Sequence, residues 1–352
     1  MPVSRPAAVL LALLLSPVPP LAAQVRCDAP YTAAADSIQG LVNRLGLGGA
    51  GLVIRQDGRP ICERYYGSWG PETVVSLVSA AKWMSAAGIL ALTDDGTLAL
   101  DDSAGKYLDY FRKGEKRGIT LRHLLSHRSG LPDYSPCMFQ PELPRDECAR
   151  QIAEKAKLHH APGAAFAYGG AGFTVAGRMA EVAAGQRWVE IFAGRIAQPL
   201  GLKQTGYGND PNALLSEGQP YSSPADYITF LEMIRNGGTH AGRRILAERS
   251  VAEMTRVQTE GGAVASSPRE KPQYGLGCWI DLADSTGRGL VVTSPGGGGF
   301  LPWIDREHGI VGVIAVKDRL ERTGPTSGAV IRLVRAAAKR ATAKRATVSS
   351  GP

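Results

Sequence analysis

The chain has 352 residues, which is long for one simple domain and short for three. With 44% hydrophobic and 20% charged residues, it has the composition of an ordinary globular protein. The formal net charge is +8, but no nucleic-acid recognition motif accompanies it, so we expect no nucleic-acid partner. Much of this charge lies near the C-terminus, where we predict a basic, disordered tail over 339–352.

The first 23 residues have the pattern of a secretory signal peptide. Arg5 precedes an apolar run over 7–15, and small residues at 21–23 provide a cleavage site after Ala23. The run is too short to span a bilayer, and no later segment reaches the ~18 apolar residues of a transmembrane helix. We therefore expect a periplasmic or secreted protein without stable membrane insertion.

Five cysteines follow the predicted signal peptide, and export makes disulfide bonds possible. A bond between Cys137 and Cys148 could hold the proline-containing segment between them, and one between Cys27 and Cys62 could tie the start of the mature chain to an early strand. Cys278 lies in a strand-like run and is interpreted as a buried free thiol. No pair has the Cys-x-x-Cys spacing of a zinc site, and we expect neither a metal nor an organic cofactor.

The first hundred residues predict a helix, a hairpin and a second helix. Helical spacing runs over 32–45, and strands over 48–54 and 60–66 are joined by an Asp-Gly pair that is typical of a tight hairpin turn. From Ser79 to Leu92 the chain is apolar almost all round, which indicates a helix buried in the body of the protein.

The rest of the chain changes from helical to strand-like periodicity. Helices are predicted at 121–127, 147–158, 173–184, 188–200, 224–236 and 248–256, with Thr120 and Ser223 as N-caps. Strands are predicted at 274–282, 290–293, 300–304 and 310–316, followed by a helix at 326–338.

A sheet built from both ends of the chain requires the middle to be an insertion. We therefore predict an α/β fold, with an antiparallel sheet flanked by helices and an inserted all-helical lobe. The domain covers 24–338, with a sheet lobe over about 27–72 and 265–338 and a helical lobe over about 73–264. A cleft between two such lobes is a natural place for the active site.

A Ser-x-x-Lys pair, Ser79 and Lys82, stands at the predicted start of the buried helix. Side chains three residues apart share one helix face, and the helix N-terminus places partial positive charge beside the serine. Such a lysine has reason to lose its proton and to accept the serine proton. The alternative is a lysine that reaches the surface or pairs with an acid. A second match, Ser103 and Lys106, follows two aspartates and contains a glycine, which indicates a polar turn.

Two glycine-rich segments carry further candidates. Tyr168 stands in a loop of small residues before a helix and could shuttle a proton to a serine, although packing between lobes explains it equally well. The four glycines at 296–299 link two predicted strands and could expose backbone N–H groups to an oxyanion, unless they form only a flexible hairpin tip.

Together these segments resemble the serine β-lactamase-related family across nearly the whole mature chain, and most closely its class C-like branch. That branch includes class C β-lactamases, carboxylesterases with a β-lactamase fold, D-amino-acid peptidases and penicillin-binding proteins. The matching stretches are Ser79 to Lys82, residues 119–131, Tyr168, residues 199–205 and residues 274–279.

The resemblance implies roles for four residues. Ser79 would be the acylated nucleophile, Lys82 would hold or take its proton, and Tyr168 would be the base or its partner. The backbone N–H groups of Ser79 and Gly297 would form the oxyanion hole, whose donors are typically worth about 2.7–4 kcal/mol of barrier each.

Three substrate-binding positions depart from the family pattern. Gly170 stands where the family has an asparagine, and Ser294 and Gly296 belong to a Ser-Pro-Gly stretch in place of Lys-Thr-Gly or His-x-Gly. The loss of a cation opposite a substrate carboxylate removes a bond of roughly 1.5–3 kcal/mol, which disfavours penicillins and cephalosporins.

These features predict an exported, monomeric serine hydrolase that forms a covalent acyl-enzyme on Ser79 and acts, esterase-like, on a small ester or amide. One alternative is a β-lactamase or a peptidase of the D-Ala-D-Ala type. The other is a catalytically silent protein of the same fold that binds a peptide or a cell-wall fragment.

Overall fold

The computed structural model describes residues 27–212 and 214–349, with the side chains described as far as Ala341. The predicted signal peptide lies outside the described residues. The helices are α1 Thr32–Leu45, α2 Ala81–Asp94, α3 Ala104–Tyr107, α4 Leu121–Leu125, α5 Arg145–Lys155, α6 Ala171–Ala184, α7 Trp188–Phe192, α8 Gln198–Leu200, α9 Pro224–Arg235, α10 Glu248–Met254 and α11 Leu320–Ser349. The strands are β1 Gly49–Gln56, β2 Arg59–Gly67, β3 Val75–Ser76, β4 Ala165–Ala167, β5 Tyr221–Ser222, β6 Thr239–His240, β7 Arg243–Arg244, β8 Ala263–Ser266, β9 Trp279–Ala283, β10 Gly289–Thr293, β11 Leu301–Asp305 and β12 Ile310–Val316.

A six-stranded antiparallel sheet in the order β2-β1-β12-β11-β10-β9 forms the largest layer of the described chain. Two strands come from the start of the chain and four from its end, which confirms the predicted α/β sheet. The turn between β1 and β2 has positive φ at both Asp57 (49°) and Gly58 (79°), as the mirror-image turns that suit the twist of hairpins require.

The two faces of the sheet are covered by different helices. Side chains alternate along β1, so that Leu52 joins the cluster under α1 and α11, while Val53 joins the larger core on the opposite side. On the first face, Ile38 of α1 and Val330 of α11 are completely buried. Helix α9 packs on the second face, against β1, β11 and β12.

Helix α2 lies inside the protein, as its apolar sequence predicts. Every residue from Ala81 to Leu92 is buried, and the helix packs against α6, α7 and α10. A helix surrounded in this way holds its first turn in a fixed place, which matters because Lys82 is its second residue. The extent of a separate helical lobe stays a prediction.

Three predicted elements differ from the structure. The strand predicted from residue 274 begins only at Trp279, because Gly275 and Gly277 pack tightly on α10 and α2 and Gly277 has a φ of +80°. The helix predicted at 188–200 is interrupted by a π-helical turn, Ala193–Ala197. The last helix runs to Ser349, so 339–349 is helical where disorder was predicted; alanine, lysine and arginine, which dominate this segment, are strong helix formers.

Both predicted disulfide bonds are present. Cys27 is bonded to Cys62 and ties the chain before α1 to β2, while Cys137 is bonded to Cys148 and closes the loop before α5. Cys278 is a buried free thiol, as predicted. Among the helices described, none is long and apolar enough to cross a membrane.

Candidate active site

Ser79 lies in a single 3-10 turn, Val78–Ala80, that leads directly into α2. Val78 has a φ of +47°, which is unfavourable for a β-branched residue and marks a sharply bent backbone. The turn is held by hydrogen bonds from Leu77 N to Pro220 O (2.8 Å) and from Tyr227 Oη to Ala80 O (2.7 Å). Ser79 is thereby kept half-exposed at the N-terminal end of a rigid helix.

Lys82 is completely buried and uses all three donors of an ammonium group. Its Nζ donates to Ser79 Oγ (3.0 Å), to Ser216 O (3.1 Å) and to Glu217 Oε1 (2.7 Å). Burial lowers the pKa of Lys82, but Tyr168 and the Glu217 carboxylate outweigh burial and raise the pKa above its ordinary value. Lys82 is therefore paired with an acid, and the direction of its pKa runs against the expectation that the amine loses its proton.

The second Ser-x-x-Lys match provides an internal comparison. Lys106 has a side chain that is 56% exposed and pairs with Asp102 at 2.7 Å. Its helix, α3, has only four residues. The same spacing therefore gives a surface ion pair at Lys106 and a buried contact to a serine at Lys82.

Tyr168 follows β4, which pairs in parallel with β8, and its N–H donates to Ser266 O (3.0 Å). The Nζ of Lys82 lies 4.9 Å from the centroid of the Tyr168 ring, within the range of a cation–π interaction. The ring also packs against Trp279, with centroids 5.0 Å apart. Tyr168, from a distant segment of the chain, thus lies beside the lysine that contacts Ser79.

His127 packs against the ring of Tyr168. Its φ is +57°, its ring centroid lies 4.6 Å from that of Tyr168, and its Nδ1 accepts a hydrogen bond from Gly169 N (3.4 Å). Burial, and then the nearby charge of Lys82, hold the pKa of His127 well below its ordinary value of 6.5. The sequence showed His127 only as part of a motif and gave no sign of this supporting position.

The glycine-rich turn at 296–299 packs beside the serine. A Cβ on Gly296 would overlap Leu77 O, so only glycine fits there. A Cβ on Gly297 would lie 3.7 Å from Val78 Cγ1, which places Gly297 next to the residue before Ser79. Gly297 is exposed, and none of the hydrogen bonds described for 27–212 and 214–349 uses its N–H. Its location therefore suits the predicted oxyanion donor.

Ser294, which replaces the cation of the family's third motif, is buried and faces the backbone. Its Oγ makes long hydrogen bonds to Ser79 O (3.4 Å) and to Gly277 O (3.5 Å). The hydroxyl group is therefore occupied in holding the turn of the nucleophile, and it adds no charge to the cleft.

Gly170 is covered by other side chains. Its N–H donates to Asp133 O (2.7 Å), and a Cβ there would meet Met138 Cε at 2.6 Å, Ser216 Oγ at 3.0 Å and Glu217 Cγ at 3.5 Å. Glu217 was missed from the sequence because no motif surrounds it and it follows Lys82 by 135 residues. The one available signal was that a buried lysine requires a counterion, which does not say where the acid lies.

A cation from a distant segment lies near the third motif, where the sequence indicated none. The Arg269 guanidinium stacks on the Trp279 ring at 4.3 Å and donates to Thr293 Oγ1 (3.3 Å), next to Ser294. It is also paired with Asp281, which offsets much of its charge.

An aromatic pair borders the cleft. Tyr134 is 47% exposed and Phe139 is 63% exposed, and their ring centroids are 6.0 Å apart. Burial and then Glu217 raise the pKa of Tyr134, which places its phenol on the Glu217 side of the site. The pair offers apolar surface to a bound acyl group.

One acidic cluster elsewhere has the composition of a metal site, but an arginine already binds both of its carboxylates. Asp305, Glu307 and His308 offer ligand atoms within 4.8 Å of one another. Arg335 donates to Asp305 Oδ2 and to Glu307 Oε2, both at 2.8 Å, so that a cation already occupies the cluster.

Comparison with known proteins agrees with this geometry. The beta-lactamase family model matches residues 34–336. A crystal structure from Bacteroides dorei DSM 17855 is 33% identical, covers 82% of this chain and 90% of its own, and superposes with a TM-score of 0.75. The D-alanyl-D-alanine-carboxypeptidase/endopeptidase AmpH of Escherichia coli K12 is 27% identical over 74% of this chain and 76% of its own length. Esterase EstB of Burkholderia gladioli is 31% identical over 45% of this chain and 42% of its own. The chain therefore belongs to the β-lactamase family and, with it, to the serine hydrolases.

Proposed function

We propose that the protein is an exported, esterase-like hydrolase that forms a covalent acyl-enzyme on Ser79. One observation carries the proposal: a completely buried lysine donates to the oxygen of a half-exposed serine at 3.0 Å. Burying a lysine is costly, and this lysine faces a serine beside an exposed glycine N–H. A catalytically silent protein has no physical need for that arrangement.

In the first half of the reaction, Ser79 Oγ forms a bond to the ester carbonyl carbon, and the bond from that carbon to the alcohol oxygen breaks. We assign Tyr168 as the proton relay: its phenol oxygen accepts the serine proton while its own proton passes to the alcohol oxygen. The backbone N–H groups of Ser79 and Gly297 stabilise the negative oxygen of the intermediate. The products of this half are the acyl-enzyme and a neutral alcohol.

In the second half, water attacks the acyl carbon and the bond to Ser79 Oγ breaks. One water proton returns to Oγ through Tyr168, and the carboxylic acid leaves with the remaining hydroxyl group. The free enzyme is thereby restored, and no atom or proton is left over.

Neutral esters suit the cleft better than anionic substrates do. The side chain of Ser294 is turned to the backbone, Gly170 offers no amide, and the Arg269 charge is offset by Asp281. An uncharged acyl group needs only the nucleophile, the relay and the oxyanion hole, and the exposed rings of Tyr134 and Phe139 give it apolar surface. The similarity to an esterase over 45% of the chain supports this substrate class.

Intact-mass measurement after exposure to p-nitrophenyl butyrate or a fluorophosphonate probe tests the proposal. We expect the wild type to gain one acyl or phosphonyl group, S79A to gain none, and hydrolysis to show an initial burst. S103A is the matched control, because Ser103 starts the second Ser-x-x-Lys stretch, whose exposed Lys106 pairs with Asp102. An unlabelled native protein, or labelling that persists in S79A, contradicts the proposal.

A peptidase or β-lactamase is the second candidate, and Arg269 is the observation that favours it. A guanidinium beside Thr293 and Trp279 can meet the carboxylate of a peptide or a β-lactam. The 27% identity to a D-alanyl-D-alanine-carboxypeptidase/endopeptidase points in the same direction. Release of D-alanine from a D-Ala-D-Ala peptide, or turnover of nitrocefin, that is lost in Arg269→Gln would favour this candidate over the ester hydrolase.

Export is the last part of the proposal. Two disulfide bonds, Cys27–Cys62 and Cys137–Cys148, suit an oxidising compartment outside the cytoplasm. Fractionation of cells that express the full chain should recover the protein outside the cytoplasm with a mass that begins after Ala23. Recovery of the uncleaved chain from the cytoplasm would contradict it.

A further inference from the structure

Three bonds hold the ammonium group of Lys82, and only two of them are explained by the acyl-transfer chemistry and the local backbone. The bond to Ser79 Oγ belongs to the reaction, and the bond to Ser216 O is a backbone contact. The third and shortest, at 2.7 Å, goes to the carboxylate of Glu217. The proposed reaction assigns no task to this acid.

The carboxylate lies next to position 170, which has no side chain. A Cβ on Gly170 would stand 2.6 Å from Met138 Cε, 3.0 Å from Ser216 Oγ and 3.5 Å from Glu217 Cγ, so a side chain there would displace the end of Met138 and would lie against Glu217. The glycine and the acid are therefore two parts of one arrangement. A longer polar side chain at 170 would therefore lie against the glutamate at 217.

The ion pair is nearly dry. The side chain of Lys82 is 0% exposed and that of Glu217 is 13% exposed, so that solvent screens their attraction only weakly. The other titratable groups that face Lys82 are Tyr168, Tyr134 and His127, and Tyr274 lies on the Glu217 side. Among these described neighbours, Glu217 is the one carboxylate.

We propose that Glu217 is a positioning residue that keeps Lys82 a charged donor to Ser79 Oγ, in place of a side chain at position 170. The inference rests on the proposed function, because it assigns a task within the same site. An ammonium has no lone pair, so Lys82 stabilises the negative charge that develops on Oγ, and the serine proton leaves through Tyr168. An amide in place of the Glu217 carboxylate would orient Lys82 without supplying negative charge. The carboxylate orients Lys82 and also supplies the charge that keeps it protonated.

The test compares E217Q, E217A and the double variant G170N/E217A with the wild type. E217Q keeps the shape and removes the charge, and we expect the alkaline limb of the kcat/KM profile for p-nitrophenyl butyrate to shift to lower pH by about one unit or more. E217A should lose about 100-fold in kcat/KM because Lys82 is no longer held. Adding G170N, which requires the flexible end of Met138 to shift, should recover about tenfold of that loss, since an amide then extends toward the vacated space.

The control is D102N, which removes the carboxylate from a lysine pair of the same 2.7 Å length on the surface. We expect its pH profile to match that of the wild type. Melting curves and circular dichroism establish that each variant is folded. If the double variant does not fold, the pH profile of E217Q decides whether Glu217 has the proposed role.

A second measurement follows the protonation of Lys82 directly and needs no substrate. In a ¹⁵N-detected titration of lysine ammonium groups, the Lys82 signal is the one missing in Lys82→Arg, and we expect it to deprotonate at lower pH in E217Q than in the wild type. Identical titrations in both proteins overturn the role of Glu217, even if the wild type is acylated normally. If the wild type is never acylated, the proposed function fails while the titration still decides the role of Glu217.

Discussion

Gly277 lies directly against the backbone of Lys82: a Cβ on Gly277 would overlap Lys82 O and would lie 2.7 Å from Ala86 Cβ. Both neighbours belong to the first turns of α2, which is buried on all sides. The segment before β9 therefore presses on the helix that carries the site, and glycine is the residue that lets it do so.

The first prediction concerns this contact. Gly277→Ala combines overlap with a residue forced to a φ of +80°, and the conformation alone costs about 1–3 kcal/mol of unfolding free energy. Because the overlap displaces the first turn of α2, we also expect kcat for ester hydrolysis to fall about tenfold or more. Denaturant unfolding and steady-state kinetics measure the two effects. Gly185→Ala is the control, since it also has positive φ (63°) but nothing within 4 Å of its Cβ; it should lose stability and keep kcat.

The second prediction removes the amine. Lys82→Met keeps the length of the side chain but leaves Glu217 as a buried acid without a partner, so the variant should lose stability as well as activity. We expect the rate of acylation of Ser79 to fall by about 10²–10³-fold, as for the loss of a positioned donor that stabilises developing negative charge. Lys106→Met, at the exposed second match, should leave acylation unchanged. Acylation of Lys82→Met at the wild-type rate in stopped-flow labelling would contradict the proposed site.

The third prediction concerns the stability of the fold at acidic pH. The pKa of His127 is held below its ordinary value of 6.5 in the folded protein by burial and then by Lys82. Below pH 6.5 the unfolded chain therefore binds a proton that the folded protein does not, and the free energy of unfolding falls as the pH drops, by up to about 1.4 kcal/mol per unit. Burial and then Arg128 lower the pKa of His123 as well, which adds to the slope.

His127→Asn isolates the contribution of His127, because asparagine tolerates a positive φ and its amide does not titrate. Urea unfolding between pH 4.5 and 7.5 should show a shallower loss of stability in acid for this variant than for the wild type. Superimposable slopes would mean that His127 binds a proton equally in both states, contrary to the prediction.

The fourth prediction concerns the disulfide bond between Cys137 and Cys148. The loop that it closes accepts hydrogen bonds from Asn212 Nδ2 at Cys137 O (2.9 Å) and Gln140 O (3.3 Å). Asn212 stands five residues before Glu217, so the loop supports the segment that brings the acid to Lys82.

Replacing both cysteines with serine should therefore reduce stability by about 2–4 kcal/mol and also lower kcat. The matched control is the removal of Cys27 and Cys62, which join the start of the chain to β2. That change should cost stability without altering kcat at temperatures where both variants are folded. Equal kinetic effects from the two pairs would show that the loop has no special link to the site.

Local patterns in the sequence predicted much of the fold. The helix at 32–45, the hairpin turn at Asp57 and Gly58, and the caps at Thr120 and Ser223 all depend on neighbours within a few residues, and each is present. The strand predicted from residue 274 was wrong because its glycines pack on α2 and α10, a tertiary contact that no local pattern reveals.

The residues of the candidate site likewise include some that local patterns predict and some that depend on tertiary contacts. Ser79 and Lys82 share one helical turn, so their contact follows from spacing, and the resemblance to a family indicated Tyr168. Glu217 and Arg269 were not predicted, because each is placed by side-chain contacts outside its own local sequence: Glu217 contacts Lys82, and Arg269 contacts Trp279. The raised pKa of Lys82 was not expected for the same reason: it depends on Tyr168 and Glu217, partners that the local sequence does not contain.

The aromatic pair at the cleft differs from the glycines around the serine in its tolerance of change. Tyr134 and Phe139 are 47% and 63% exposed, and substitutions at such positions usually alter folding by less than about 0.5 kcal/mol. Gly277 and Gly296, in contrast, admit no additional carbon atom. The two rings can therefore be exchanged at little cost in stability, while the glycines beside the serine cannot.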